Sequence, residues 1–236
     1  MTTPADPYEA IAPEYYDAVR HPTSANFRFA SARLLRDVAG RLVTKSSDIV
    51  EVGCGDSVLM EVLKESQLFP RRVVLTDASP TMLAYSRHWL GEGVELVVSE
   101  AESLMFSDGT FDVAVSILGD PYNTPAFWTE IARTTKPGGS VFFTTPSHEW
   151  SSAFRGSIPR ALFDAAQGPD LAVASFVYSE DDQRTLIERA GLIVTKVLHA
   201  PRSWLPPNRI SPKLQVLRFP NDPVVTAYVA AKPAVI

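Results

Sequence analysis

The sequence predicts an α/β fold: a doubly wound, seven-stranded, mostly parallel sheet with helices on both faces. Two observations predict it. Short apolar runs rich in valine alternate with amphipathic stretches of helical length from about residue 48 to 145, the rhythm of strand–helix–strand units. A glycine-rich turn follows the first of these runs, where open parallel sheets bind their ligands. The pattern ahead of it reads as an N-terminal helical cap, and the rhythm breaks after Pro146, which predicts an insertion after the fifth strand.

In chain order, Tyr8, Ile11, Tyr15 and Tyr16 recur at helical spacing, and Pro22 and Thr23 separate them from a second helix over about Ser24 to Val43. That helix offers Phe27, Phe29, Leu34, Leu35, Val38 and Leu42 to a core. Asp48 to Val52 reads as the first strand, stopped by Gly53, and Ser57 to Gln67 as a helix. Val73 to Thr76 is a strand ended by Asp77; Ser79 to Leu90 is a helix with Pro80 in its first turn, where a missing N–H costs nothing. Strands follow at Val94 to Val98 and Phe111 to Leu118, then a helix over Tyr122 to Thr135, the break Lys136-Pro137-Gly138-Gly139 and a fifth strand over Ser140 to Thr145. Beyond it a helix is predicted over Ile158 to Ala166. Ser179-Glu180-Asp181-Asp182 reads as an N-cap with acid in the first turn, opening a helix that runs to Ala190 and stops at Gly191. Leu192 to Leu198 and Val224 to Ala230 complete the strands, with a hairpin expected between them.

These elements fit one domain over residues 1–236: a cap over 1–45, a ligand-binding core over 46–146, a lid over 147–178 and the rest of the sheet over 179–236. Composition sets bounds. The chain is 45% hydrophobic and 21% charged, enough apolar residue for a real core. Its net charge of -5 argues against nucleic-acid binding by bulk electrostatics. Cys54 is the single cysteine, which excludes an intrachain disulfide and fits a reducing compartment. Met1 to Asp6 lack the basic start and apolar run of a secretory signal, and no apolar stretch reaches about 18 residues, so a cytoplasmic protein without a membrane span is expected. Prolines (19) outnumber glycines (12), and Pro201, Pro206, Pro207, Pro212, Pro220 and Pro223 crowd the last quarter.

The turn Glu51-Val52-Gly53-Cys54-Gly55-Asp56-Ser57 carries the functional reading. A dinucleotide fingerprint would need glycine at position 58, where Val58 stands, and no Gly-Lys-Ser/Thr follows to make a P-loop. The stretch resembles motif I of the class I, Rossmann-like, S-adenosylmethionine-dependent methyltransferases, with Ser57 at its last glycine. The likeness continues in order. Asp77-Ala78-Ser79-Pro80-Thr81-Met82-Leu83 resembles the family's D-x-S-x-x-M-L run, and Glu100-Ala101-Glu102-Ser103-Leu104-Met105-Phe106 its D-A-E-x-L-P-F run, with Glu100 for aspartate and Met105 for proline. Asp108 to Val113 resembles D-G-S-F-D-V, Lys136 to Gly139 matches K-P-G-G, and Ile11 to Asp17 resembles an I-A-x-x-Y-D element that closes over the cofactor. The style is similar to the ubiquinone/menaquinone-biosynthesis type.

The resemblance implies S-adenosylmethionine as cofactor and S-adenosylhomocysteine as product, and no metal. Glu51 would engage the methionine amino group, Gly53, Cys54 and Gly55 would wrap the methionine moiety, and Asp77 would bind the ribose hydroxyls. Ala78 and Met82 would lie near the adenosine, Glu100 and Ala101 at the adenine, Leu118 at the end of the fourth strand, and Tyr16 over the top. Methyl transfer is an in-line displacement that needs alignment and, for an O–H or N–H nucleophile, a base. Candidates at the strand ends are Asp120 and Tyr122, in Gly119-Asp120-Pro121-Tyr122-Asn123, and His148; Asp120 equally suits a turn or cap, and His148 an exposed loop. His21 is placed near the same mouth, while His88 beside Trp89 and His199 read as structural. The aromatic residues Trp150, Phe154, Phe163, Phe176 and Tyr178 suit an acceptor lid for a flat or apolar small molecule. From Arg189 to Asn221 no acidic residue occurs among Arg189, Lys196, Arg202, Arg209, Lys213 and Arg218, a solvated rim or a loop that binds a phosphate, an acidic substrate or RNA. Three readings therefore stand: a small-molecule methyltransferase acting on O, N or C, a nucleic-acid or protein methyltransferase, and a cofactor-binding protein without methyl transfer.

Overall fold

A computed structural model describes residues 7–156, 158–163 and 170–234; Met1 to Asp6 lie outside these. The N-terminal pattern folds as α1 (Pro7–Tyr15) and α2 (Pro22–Leu42), the second opened by Pro22 in its first turn. α2 buries Phe27, Leu34, Leu35 and Val38; Phe29, expected in the core, points to solvent. The core then alternates β1 (Asp48–Val52), α3 (Val58–Glu65), β2 (Arg72–Asp77), α4 (Pro80–Leu83), β3 (Val94–Val98), β4 (Phe111–Ser116), α5 (Pro125–Thr134) and β5 (Thr135–Pro146). α6 (His148–Arg155), β6 (Arg160–Phe163) and β7 (Leu171–Ala174) form the insertion, and α7 (Glu180–Arg189), β8 (Ile193–Pro201) and β9 (Pro223–Ala231) close the sheet.

The seven strands run in the order β3-β2-β1-β4-β5-β9-β8, with β9 antiparallel to both neighbours. All five residues of β1 are buried, as expected of a central strand covered on both faces. One core layer packs α2 and α3 residues such as Leu35 and Leu59 against Ile49, Leu75 and Phe142. The other packs Phe127, Trp128 and Ile131 of α5 and Ile187 of α7 against Val50, Ala114 and Phe143. The alternate strand residues thus serve opposite faces, the period-two rule at work in a doubly wound sheet.

Four expectations are corrected. The helix over Ser79 to Leu90 is α-helical only to Leu83; Ala84–Glu92 winds as a tighter 3-10 helix ending at Gly93, whose φ is +76°. Ser86 on that segment reaches the glycine turn, donating to the Gly55 carbonyl at 2.7 Å and accepting from the Ser57 amide at 3.0 Å, contacts of long sequence range that periodicity does not register. The helix expected from Tyr122 starts at Pro125, because Thr124 caps it by accepting from the Phe127 amide, while Asp120–Tyr122 forms a 3-10 turn. In the insertion, Arg160–Phe163 is a strand rather than the start of a helix: its residues alternate outward and inward and pair antiparallel with β7. The remainder of that expected helix, through Ala166, lies outside the described residues. The hairpin expected between the last two strands is instead a run of 3-10 turns at Arg202–Trp204, Pro207–Arg209 and Pro212–Leu214, where proline removes the donors a ladder needs.

Candidate functional site

β1 ends at Val52 and the chain turns through Gly53 and Gly55, whose φ values are +67° and +48°. Glycine adopts this left-handed backbone at little cost. Space forbids any other residue as well. A Cβ on Gly53 would stand 2.1 Å from the Tyr122 hydroxyl oxygen, and one on Gly55 2.0 Å from that of Tyr16. Both hydroxyls are fixed by backbone: Tyr122 donates to the Val52 carbonyl at 2.8 Å and Tyr16 accepts from the Asp56 amide at 2.7 Å. From the end of β2 the Asp77 carboxylate accepts from the Gly55 amide at 2.9 Å and the Ser79 amide at 3.0 Å, which fixes its plane against the turn.

A cleft of about 870 Å3 opens against this turn. Its wall brings together Tyr16, Gly53, Cys54, Gly55, Asp77, Ala78, Met82, Glu100, Ala101 and Leu118, ten of the residues that sequence motifs single out. Tyr122 lines it too. Glu51 does not. Its side chain is 0% exposed and turned under α3, accepting from the Ser57 hydroxyl and, at 3.4 Å, the Leu59 amide. Burial pushes its carboxyl up to about 8, against those hydrogen bonds, so the neutral acid is favoured at neutral pH. Serine at position 57, where the motif has glycine, supplies the hydroxyl that turns Glu51 this way and also caps α3 through the Met60 amide. Burial likewise pushes the Cys54 thiol up, away from thiolate chemistry.

Arg28 and Ser99 are among the cleft residues that escape the motifs. Arg28 reaches over from α2, stacks 4.8 Å above the Tyr16 ring and donates to the Asp56 carbonyl at 2.8 Å. Ser99, just past β3, has a buried hydroxyl with no hydrogen-bond partner among the described residues. A serine after a strand carries no signal in sequence, and Arg28 reads there as one cation on an amphipathic helix.

A second cavity, of about 310 Å3, adjoins the first. Tyr8, Tyr15, Leu118 and Pro121 border both. Leu118 has a φ of +55°, a left-handed backbone unusual for a leucine, and its amide donates to Thr144 Oγ1 at 2.9 Å. The second cavity is walled by Phe27 of α2, Trp150, Phe154 and Arg155 of α6, Phe163 and Val173 of the β6–β7 hairpin, and Ser211, Pro212 and Lys213 of the proline-rich segment. Of the aromatic residues expected in the insertion, Trp150, Phe154 and Phe163 face this cavity, Phe176 faces the cleft, and Tyr178 faces neither.

The catalytic candidates separate. Asp120 is 8% exposed, lines the aromatic cavity and accepts from the Ser175 hydroxyl. Burial raises its carboxyl to about 6 despite that hydrogen bond. His21 lines the same cavity, 5.8 Å from the Phe163 ring. Tyr122 is committed to Val52 and to Ser116 Oγ at 3.0 Å, and burial holds its phenol well above the ordinary value, so it supports the glycine turn rather than taking protons. His148 is exposed at the start of α6, 3.0 Å from Ser152 Oγ, and borders neither cavity. Its place in the sequence after β5 suggested the mouth; the first turn of α6 carries its ring outward. His88 contacts the Tyr85 carbonyl at 2.8 Å, and His199 lies 3.5 Å from Glu180, both outside the two cavities.

Known proteins resemble this chain in sequence and in fold. The methyltransferase-domain family profile matches residues 50–143. An uncharacterized methyltransferase of Schizosaccharomyces pombe is 31% identical over 206 residues, which cover 81% of this chain and 76% of that protein. The chain belongs to the class I S-adenosylmethionine-dependent methyltransferases. A malonyl-(acyl-carrier protein) O-methyltransferase of Serratia marcescens is 28% identical over 123 residues, 49% of this methyltransferase and 47% of that one, so the match spans about half of either. Among solved structures, the methyltransferase in a complex with the Haloferax volcanii Trm112 activator superposes with a TM-score of 0.69 at 17% identity, over 99% of both chains. A Methanosarcina mazei S-adenosylmethionine-dependent methyltransferase superposes at 0.64 with 16% identity, over 84% of this chain and 98% of that one. These two show the fold.

The cleft of this methyltransferase fits the cofactor. Asp77, held edge-on by two amides, keeps acceptor capacity for hydroxyls. The orphaned Ser99 hydroxyl supplies a polar contact in the same wall, and the two glycines bring backbone to the surface where a side chain would block it. No helix among the described residues is long and apolar enough to cross a membrane.

Proposed function

We propose that this methyltransferase transfers the methyl group to an oxygen, nitrogen or carbon nucleophile of a small molecule held in the aromatic cavity. The observation that carries the reading is the shared wall: Tyr8, Tyr15, Leu118 and Pro121 separate the large cleft at the glycine turn from a smaller aromatic cavity. S-adenosylmethionine, when bound, supplies a sulfonium methyl for in-line displacement. Gly53, Cys54 and Gly55 approach the methionine part through backbone, with Tyr16 closing over it, and Arg28 offers a cation to its carboxylate. Asp77 accepts from the ribose hydroxyls; Ala78, Met82, Ser99, Glu100 and Ala101 surround the adenosine. Glu51 acts one step removed, by holding Ser57 and the start of α3.

On the acceptor side, α1 as cap and α6 with the β6–β7 strands as lid exclude water. Leu118 sets the gap between the cavities, and Asp120, with its carboxyl raised to about 6, is ionised at neutral pH and suited to take a proton from a hydroxyl or amine. Desolvation strengthens it as a base. A nucleic-acid acceptor finds less support: of the cations between 189 and 221, Lys213 alone borders the aromatic cavity. The test is release of S-adenosylhomocysteine from methyl-labelled cofactor with a panel of phenols, amines and carboxylic acids, set beside bulk transfer RNA and a protein extract. Label entering small molecules supports the reading. Label entering only macromolecules overturns it, and cofactor binding without transfer to any acceptor favours a protein that binds and does not turn over.

A further inference from the structure

We infer that Arg155 makes the aromatic cavity a receptor for an organic carboxylate with a flat apolar body, so that the acceptor is an anion. The inference rests on the acceptor-site reading above and deepens it.

Arg155 ends α6 and borders the cavity. Its Nε and Nη2 both donate to Ser151 Oγ one turn back, at 3.2 and 2.8 Å, which fixes the plane of the guanidinium. The group also lies 5.4 Å from the Trp150 ring. Trp150 is itself held, donating from Nε1 to the Lys213 carbonyl at 2.9 Å, meeting Phe27 edge-on at 4.9 Å and stacking on Phe154 at 5.3 Å. The cation is therefore oriented before any ligand arrives. Two hydrogen bonds to one serine leave a guanidinium with further N–H donors. Among the described residues no carboxylate lies within ion-pair distance of it, and the opposite charge acting on it is that of Asp120, from farther away. Arg20, the other arginine on the wall, is already paired with Glu14 at 2.6 Å. Burial weakens the hold of Arg155 on its proton, the mark of a cation short of compensation. A half-buried cation without a paired anion is costly to keep, and a planar fork over an aromatic floor suits a carboxylate in two-point contact. The rings of Trp150, Phe154 and Phe163 supply the faces for an apolar body, and about 310 Å3 limits it to a small molecule.

The test is calorimetric titration of the full chain with benzoate, indole-3-acetate and hexanoate, each beside its carboxamide, with and without S-adenosylhomocysteine. At least one acid should bind wild-type protein tenfold or more tighter than its amide. Arg155→Gln should bring acid and amide within about twofold, Arg155→Lys should keep part of the preference, and Asp120→Asn should tighten the acid alone. Equal binding of acids and amides, binding of none, or a preference that survives Arg155→Gln would overturn the inference. The wild-type comparison needs no variant, so a folding defect cannot mask it. If S-adenosylhomocysteine fails to bind while acids still discriminate, the methyl-transfer reading falls and the anion site stands; if it binds while acids do not discriminate, the reverse holds.

Discussion

The cleft and the aromatic cavity meet at four residues and are built by different means. The cleft is made at the ends of β1, β2, β3 and β4 by short consecutive stretches, 53–55, 77–78, 99–102 and 117–118, with side chains of α1 and α2 across from them, and at Gly53 and Gly55 its wall is backbone. The aromatic cavity draws mainly on elements outside β1 to β4: α1, the 19–24 segment that opens α2, α6, the β6–β7 hairpin and the proline-rich segment, with Leu118, Asp120 and Pro121 past β4. A wall of backbone depends on turn geometry and tolerates few residues at few positions. A wall of side chains depends on packing and can change its lining while the fold stays. The first suits a fixed cofactor and the second an acceptor that differs between relatives.

Changes in the cleft should therefore strike the fold and the cofactor together. Gly53→Ala places a Cβ on the Tyr122 hydroxyl in a left-handed backbone, and we expect a loss on the order of 3 kcal/mol in stability and no measurable cofactor binding, read by denaturant melts and calorimetry. An unchanged melt would break the argument that the turn is closed to side chains. Tyr122→Phe strands the buried Val52 carbonyl and the Ser116 hydroxyl, which should cost about 1–3 kcal/mol with kcat changed less than KM for the cofactor. A kcat collapse at unchanged stability would instead make Tyr122 a base.

Changes in the aromatic cavity should spare the cleft. With the Asp120 carboxyl raised to about 6 from its ordinary 3.8, the folded protein holds that proton more tightly than the unfolded chain. Its contribution to stability is complete below about 3.8 and lost as pH rises through about 6. Asp120→Asn should flatten the melting profile across that window and lower kcat/KM above pH 6 at least tenfold for an O–H or N–H acceptor, with cofactor affinity unchanged. A parallel profile in the variant would assign the titration elsewhere. The smallest effect belongs to His148→Ala, which should leave turnover within about twofold because the ring is outside both cavities.

The same contrast explains what could be read from the chain. The seven strands and most of the cleft were legible because periodicity and short motifs report local geometry: Gly53, Gly55 and Asp77 stand where strand ends put them. Glu51 was read toward the cleft because nothing local shows that Ser57, in place of a motif glycine, turns it under α3. Arg28 and Ser99 joined the wall through tertiary packing. The insertion was harder: Ile158 onward has apolar spacing that fits a helix, yet pairing with Leu171–Ala174 decides for a strand. Arg155 carries no signal in sequence, since a cation at a helix end is common.

The central claim is that the cleft holds S-adenosylmethionine through Asp77 and the glycine turn. The most direct test is calorimetric titration of the purified chain with S-adenosylmethionine, wild type beside Asp77→Ala, at matched folding by circular dichroism. The account predicts a one-to-one complex in the micromolar range for wild type and a loss of about 100-fold or more in the variant. Equal affinity in the two proteins, or no binding by folded wild type free of copurified cofactor, would contradict it.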